Sequence, residues 1–276
     1  MKMKVKYVAF LDILGFKNKI RGLQPGKAKD FIFDFSGTIF KIFNEKNSDG
    51  RINGYIVSDS VILYSKDDSK DSLEALIKLT REICEKEFIE NSILIRGAIE
   101  KGEFDKVPAK ELPVLEKGLI VGEAYIKAYL VENSGSVKVM GVILSKDVYE
   151  DIKDILDPNI TKDIVEETED KETYYLLRYI NVDFLCEDNL TKFITRAKES
   201  KWLPHYYNTI YFVIKKENDK KIEKMFVNIE NIVYNKLSNN NWRDLDLFIK
   251  NAFAERVIND FKSKFLKHIR KKLIQE

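Results

Sequence analysis

Apolar positions along the chain recur with two periods, and the switches between them mark out the predicted elements. Residues 5–14 are almost continuously apolar and read as a buried strand, with Asp12 near its end and Gly15 after it. A turn-like stretch with Gly22, Pro25 and Gly26 follows. Residues 27–44 then place Phe31, Phe35, Ile39 and Ile42 at helical spacing. Two short apolar runs, 52–57 and 61–64, flank Ser58-Asp59-Ser60 and predict a hairpin with a polar tip. Residues 72–90 predict a second helix, with Leu73, Leu76, Ile77, Thr80 and Ile83 on one face. Residues 93–99 read as a strand in which Gly97 marks a close approach of backbone or ligand.

Residues 103–117 read as a loop and 118–121 as a brief apolar run. Gly122 opens a helix to about residue 132, and 137–144 read as a strand. Ser145 is placed to N-cap a helix carrying Val148, Ile152 and Ile155. The acidic stretch 166–171 reads as a loop, and 173–182 as a last strand. From about residue 187 the period is almost wholly helical, over 190–201, 204–216, 221–237 and 245–274. Strands alternating with helices around a hairpin predict an α/β (α+β) fold: a helix-covered, ferredoxin-like sheet with a C-terminal helical extension. The predicted division is 1–183 and 184–276.

A chain of 276 residues is long enough to bury a sizeable core. Its 47 Lys+Arg against 45 Asp+Glu argue against a polyanion-coating protein and against an acidic disordered chain. Six of the basic residues and one acid lie in 262–276, so the near-neutral total covers a mildly acidic body and a basic end. Two cysteines, Cys84 and Cys186, are too few for a disulfide framework or a four-Cys zinc site, and Cys84 reads as a buried thiol. His205 and His268 are the only histidines, which leaves few candidates for a histidine metal site or triad. The apolar run after Met1-Lys2-Met3-Lys4 is too short for a secretion signal or a membrane span. The expectation is a cytoplasmic protein with no membrane or nucleic-acid partner.

Two carboxylates stand out. Asp12 ends an apolar strand, where a charge is costly unless solvated, hydrogen-bonded or bound to a cation. Asp59 sits at the predicted hairpin tip. In a β-α-β-β order the first strand commonly lies beside that hairpin, so the two could converge on Mg²⁺ or Mn²⁺, with substrate phosphates completing the shell. The alternative reading is structural: Asp12 as a strand-end turn residue and Asp59 in an Asx-turn.

The run Phe10-Leu11-Asp12-Ile13-Leu14-Gly15-Phe16 resembles the first metal-binding strand of class III nucleotide cyclases. Ser58-Asp59-Ser60-Val61 resembles the hairpin with that family's second metal aspartate. Residues 95–103, beginning Ile95-Arg96-Gly97, are similar to the family's Arg-x-Gly strand. Gly122-Glu123-Ala124-Tyr125-Ile126-Lys127-Ala128 resembles the start of its Asn- and Arg-bearing helix, and 142–148 the strand and helix after it. The matches keep family order over roughly residues 5–180.

The resemblance implies a cyclase-like catalytic domain over 1–183. Two Mg²⁺ or Mn²⁺ ions would be held by Asp12 and Asp59, with the backbone carbonyl of Ile13 or Leu14 assisting. The 3′-hydroxyl of a nucleoside triphosphate would attack its own α-phosphate, giving a 3′,5′-cyclic nucleotide and pyrophosphate. It also implies a head-to-tail homodimer with the site at the subunit interface.

The chain departs from the family where the helix normally supplies an Asn and, four residues on, an Arg that stabilises the transition state. Ile126 and Leu130 stand there. Arg96 is the candidate replacement, with Lys127 and Arg178 behind it. Purine cyclases commonly carry a base-contacting Lys four residues before the second metal aspartate; here that position is Tyr55. This resembles the bacterial pyrimidine cyclases of anti-phage signalling, which make cyclic CMP or cyclic UMP for a downstream effector. Tyr55 as an ordinary strand aromatic is the alternative. A cyclase-like domain that has lost catalysis and senses a nucleotide or binds a partner is the alternative for the whole chain. In the tail, Trp202, Tyr206, Tyr207, Tyr211 and Phe212 read as a packing face and the basic end as a solvated helix terminus.

Overall fold

In the computed structural model, the described residues are 3–107, 119–133, 140–161, 164–169 and 172–183, with 188–189, 192–193, 209, 213, 217–218, 220–225 and 227 beyond them. The chain divides into two compact units. The first comprises Met1–Phe16, Leu23–Val137 and Gly141–Tyr179; the second comprises Lys17–Gly22, Lys138–Met140 and Ile180–Glu276.

The first unit is built on β1 (Lys4–Ile13), β2 (Ile52–Val57), β3 (Ser60–Ser65), β4 (Ile95–Val107), β5 (Leu119–Val121), β6 (Val142–Leu144), β7 (Ile164–Glu169) and β8 (Glu172–Leu177). The sheet runs β2-β3-β1-β4-β6-β8-β7, with β5 paired to the far end of β4. Its first four strands, in the order β2-β3-β1-β4 and all antiparallel, are the ferredoxin-like arrangement expected from β-α-β-β-α-β. The β4–β6 pair is parallel.

Side chains of β1 alternate between two covered faces, which explains its unbroken apolar run. One face carries Tyr7, Ala9 and Leu11, all buried, and lies under α3 (Lys70–Asn91), against which α2 (Pro25–Lys46) packs. These helices bury the predicted stripes: Phe35, Ile39 and Ile42 on α2, and Leu73, Leu76, Ile77, Thr80 and Ile83 on α3. Ser69 caps α3 by accepting from the Ser72 N–H, and the Cys84 thiol is buried, as expected. On this face Tyr7 and Lys101 are opposite in register, and both bond Asp151 of α5 (Lys146–Ile152). Ser145 caps α5, as predicted.

The other face of β1 carries Val8, Phe10 and Asp12 and lies under α4 (Glu123–Asn133). Ala124, Ala128 and Glu132, spaced by four, are the buried side of α4. Phe10 meets the edges of Tyr129 and Tyr125 at 5.3 and 6.1 Å between ring centroids.

Several elements differ from the sequence reading. Residues 16–21 form a helix, α1 (Phe16–Arg21), where the glycines around it suggested a turn. Its six residues carry only Phe16 and Ile20 as apolar positions, too short a run for a stripe to announce it, and Gly22 closes it by donating to the Asn18 and Lys19 carbonyls. Strand β4 runs on to Val107, so 103–107 are not loop; β1 and then β5 supply the pairing that charged residues there do not advertise. The acidic 166–169 are strand β7 rather than loop. Among the described residues β7 is the last strand of the sheet, and its Glu166 is exposed; carboxylates on an edge strand discourage edge-to-edge pairing. The last strand, β8, ends at Leu177, not near 182. A one-turn helix, α6 (Pro158–Thr161), was not expected.

In the second unit, Thr209 Oγ1 accepts from the Met140 N–H at 2.8 Å, and Lys221 pairs with Asp183 at 2.7 Å. The described residues after 187 include helical positions at 188–189, 192–193 and 220–225. Most of the predicted helical tail, with Cys186, His205, His268, its aromatic face and its basic end, lies outside the described residues.

Candidate functional site

The site grows out of strand register. Asp12 of β1 stands opposite Ser60 of β3 on one side and Arg96 of β4 on the other. Directly opposed residues of antiparallel strands share a face, so Ser60, Asp12 and Arg96 form one row across the sheet on the α4 side. The β2–β3 turn consists of Ser58 and Asp59, since Val57 pairs Ser60. Ser58 adopts φ +58°, a left-handed conformation costly for a non-glycine residue and concentrated at functional turns. The turn is pinned to β1, because the Ile13 N–H donates to the Asp59 carbonyl at 3.2 Å. Ser60 Oγ donates to Asp12 Oδ1 at 3.0 Å.

The electrostatics follow from this packing. Burial pushes the Asp12 carboxyl up to about 6, and the neighbouring Asp59 charge adds to it; the Ser60 bond and Arg96 pull the other way. Arg96 Nε lies 2.5 Å from Glu132 Oε1, with side chains only 15% and 2% exposed. The contact is an ion pair by distance rather than an aligned hydrogen bond. Burial pushes Glu132 up to about 7; Arg96 lowers it, while Asp12 and Asp59 raise it. Three carboxylates therefore feel one another around one guanidinium.

Glu132 is the residue the sequence reading missed. Its signal is the stripe Ala124–Ala128–Glu132, in which two small residues let α4 approach the sheet and a carboxylate then occupies a core position. The close approach is measurable, since a Cβ on Gly102 would stand 3.2 Å from the Ala124 nitrogen.

Tyr55 lies one row from Asp12 on the same face, through the register Tyr55–Ile62–Phe10. Its ring stacks on Tyr64 at 6.0 Å and 24°, with its hydroxyl buried, and Lys106 Nζ lies 5.7 Å from the ring centre. Burial, then the Tyr55 hydroxyl, pushes Tyr64 up to about 12. Ile126 and Leu130 face outward on α4, 53% and 57% exposed. Lys127 is exposed and paired with Glu123 at 2.8 Å. Arg178 is buried directly after β8. The geometry thus groups Asp12, Asp59, Ser60, Arg96 and Glu132, with Tyr55 one row away, and leaves Lys127 out of the group.

No protein-family model matches the chain, and no curated protein matches it in sequence. Solved structures do match. A bacterial light-regulated adenylyl cyclase aligns with 74% of this chain and 98% of its own at 10% identity and a TM-score of 0.50. The adenylyl cyclase CyaB from P. aeruginosa aligns with 64% of this chain and 95% of its own at 16% identity and a TM-score of 0.49. The monomeric guanylyl cyclase domain of the RhoGC fusion protein from the aquatic fungus Blastocladiella emersonii aligns with 64% and 96%, at 18% identity and a TM-score of 0.45.

The core has the mixed α/β fold of class III cyclase catalytic domains. At these identities the likeness is one of fold.

The donor set fits a hard divalent cation. Asp12 and Asp59 offer carboxylate oxygens, and their mutual repulsion is of the kind such a cation relieves. Among the described residues no cluster of three or more His, Cys, Asp or Glu has the geometry of a metal site, so two carboxylates would need oxygens from a ligand or water to complete a shell. Among the described residues no helix is long and apolar enough to cross a membrane.

Proposed function

We propose that this chain is a metal-dependent nucleotide cyclase acting on a pyrimidine nucleoside triphosphate, UTP or CTP, to form a 3′,5′-cyclic nucleotide and pyrophosphate. The observation that carries the proposal is the convergence of Asp12 and Asp59, through the Asp12–Ser60 register and the Ile13–Asp59 bond, at one end of a cyclase-fold sheet. Asp12 and Asp59 would hold two Mg²⁺ or Mn²⁺ ions, with the Ile13 carbonyl assisting; such ions neutralise phosphate charge and activate a hydroxyl.

The chain's own residues supply positioning. Ser60 orients the Asp12 carboxylate. Arg96 is the guanidinium in the Asp12 row, a planar donor suited to phosphate. Tyr55, with Tyr64 behind it, presents an aromatic wall one row away for the base. A homodimer is part of the reading, because α4 turns Ile126, Tyr129 and Leu130 outward as an apolar face that a second copy would cover. The product would act as a second messenger in anti-phage defence, through an effector that binds cyclic nucleotides.

Incubating the chain with each of the four nucleoside triphosphates and Mn²⁺, and resolving products by mass spectrometry, tests this. Cyclic UMP or cyclic CMP is the expected product. No cyclic mononucleotide from a folded dimer overturns it. A specific observation favours a second reading, in which the domain binds a nucleotide without turning it over: Ile126 and Leu130, at the positions of the family's Asn and Arg, have no group that can bond a phosphate. Calorimetric binding of a triphosphate without turnover selects that reading.

A further inference from the structure

Arg96 is a cation whose charge acts on Asp12, yet it is shared. It stands opposite Asp12 in register and shares its face of the sheet. Left to itself it would neutralise the aspartate pair. Glu132 reaches down from α4 and takes its Nε, with both side chains largely shielded from water. A buried pair of this kind is weak grounds for stability, because desolvation offsets most of the attraction. Its consequence for the neighbouring carboxylates is larger: with the guanidinium charge answered by Glu132, the field at Asp12 and Asp59 stays negative.

We infer that Glu132 is a positioning residue: it holds Arg96 away from the aspartate pair and so keeps Asp12 and Asp59 competent to bind a divalent cation. The inference rests on the metal role of those aspartates proposed above. It assigns the buried stripe of α4 a task in the site, since docking of Ala124 and Ala128 on the sheet is what delivers Glu132 to Arg96.

The test is Mn²⁺ binding by the nucleotide-free full chain, titrated by electron paramagnetic resonance. Glu132→Gln keeps the shape and removes the charge, which leaves the Arg96 charge unanswered by Glu132 beside the aspartates. Mn²⁺ affinity is expected to fall about 10-fold or more, in the range seen when groups behind metal ligands are changed. The double variant Arg96→Gln, Glu132→Gln removes both charges and is expected to recover affinity to within about 3-fold of the wild type. A merely structural role would lower melting temperature in both variants and leave the affinity of the folded protein unmoved. Equal affinity in wild type and Glu132→Gln, or no recovery in the double variant, overturns the inference. If the wild type binds no more Mn²⁺ than an Asp12→Asn, Asp59→Asn chain, the metal reading itself falls.

Discussion

Gly97 lies against Phe10 so tightly that a Cβ on it would stand 2.4 Å from the Phe10 carbonyl oxygen and 2.6 Å from Leu11 Cδ2. The strand glycine therefore marks an approach of β4 to β1, one residue beyond the row that holds Asp12 and Arg96. Gly97→Ala must push the two strands apart. A loss of roughly 1–3 kcal/mol is expected, as for other overpacked cores. Activity should fall further than stability explains, because the displaced strands carry the site. Urea unfolding and turnover of the folded fraction check both halves.

Asp12 and Asp59 should behave oppositely in stability and activity assays. Each is expected to lose at least about 100-fold in cyclisation when changed to Asn, the scale of losing one charge-stabilising group. Asp12→Asn should also keep or raise the melting temperature, since it removes a buried charge that repels Asp59. A variant with full activity would show that the carboxylates play only a structural part.

In the proposed cyclase reading, Tyr55 is the residue whose bulk would limit the base. Tyr55→Ala opens that space while leaving Asp12 and Asp59 in place. The ratio of purine to pyrimidine turnover is expected to rise about 10-fold, the discrimination that loss of one packed group commonly brings. Competition assays with ATP, GTP, CTP and UTP measure it. An unchanged ratio would reduce Tyr55 to a strand aromatic packed on Tyr64.

Glu87, on α3, makes stability depend on pH. It is fully buried on α3, where Asn91 donates to its Oε2 at 2.9 Å and its Oε1 has no hydrogen-bond partner among the described residues. Burial pushes its carboxyl up to about 8; the Asn91 bond lowers it, while Glu90 and Asp34 raise it. The folded state thus keeps a proton that the unfolded chain releases near its ordinary value of 4.5. Stability from this group is full below about 4.5 and is lost as pH rises toward about 8. Glu87→Gln should flatten that decline. Urea midpoints of both proteins at about pH 5 and about pH 9 give the comparison, with the variant gaining at the higher pH.

Much of the fold is legible in single residues. Phe35, Ile39 and Ile42 announce α2, Ser145 announces the cap of α5, and Ser58-Asp59 announces the hairpin tip, because each reports a local preference that packing did not override. The elements that escaped notice lack such a local mark. Strand β7 carries acidic residues in place of an apolar run, and α1, with only Phe16 and Ile20 apolar in six residues, is too short to show a stripe. The β4 extension carries Lys101, Glu103 and Asp105, and only pairing with β1 and β5 makes it a strand.

The candidate site divides the same way. A carboxylate ending an apolar strand and another at a hairpin tip are visible in the sequence, because periodicity shows which face is buried and a charge there stands out. Periodicity does not show what a face is buried against. That Arg96 stands opposite Asp12, and that Glu132, 120 positions along the chain, meets Arg96 at 2.5 Å, was decided by strand register and by the docking of α4. Register and docking are long-range outcomes of packing and hydrogen bonding. So are the shifted carboxyls of Asp12 and Glu132, whose first cause is burial and which exist only once the chain has folded around them.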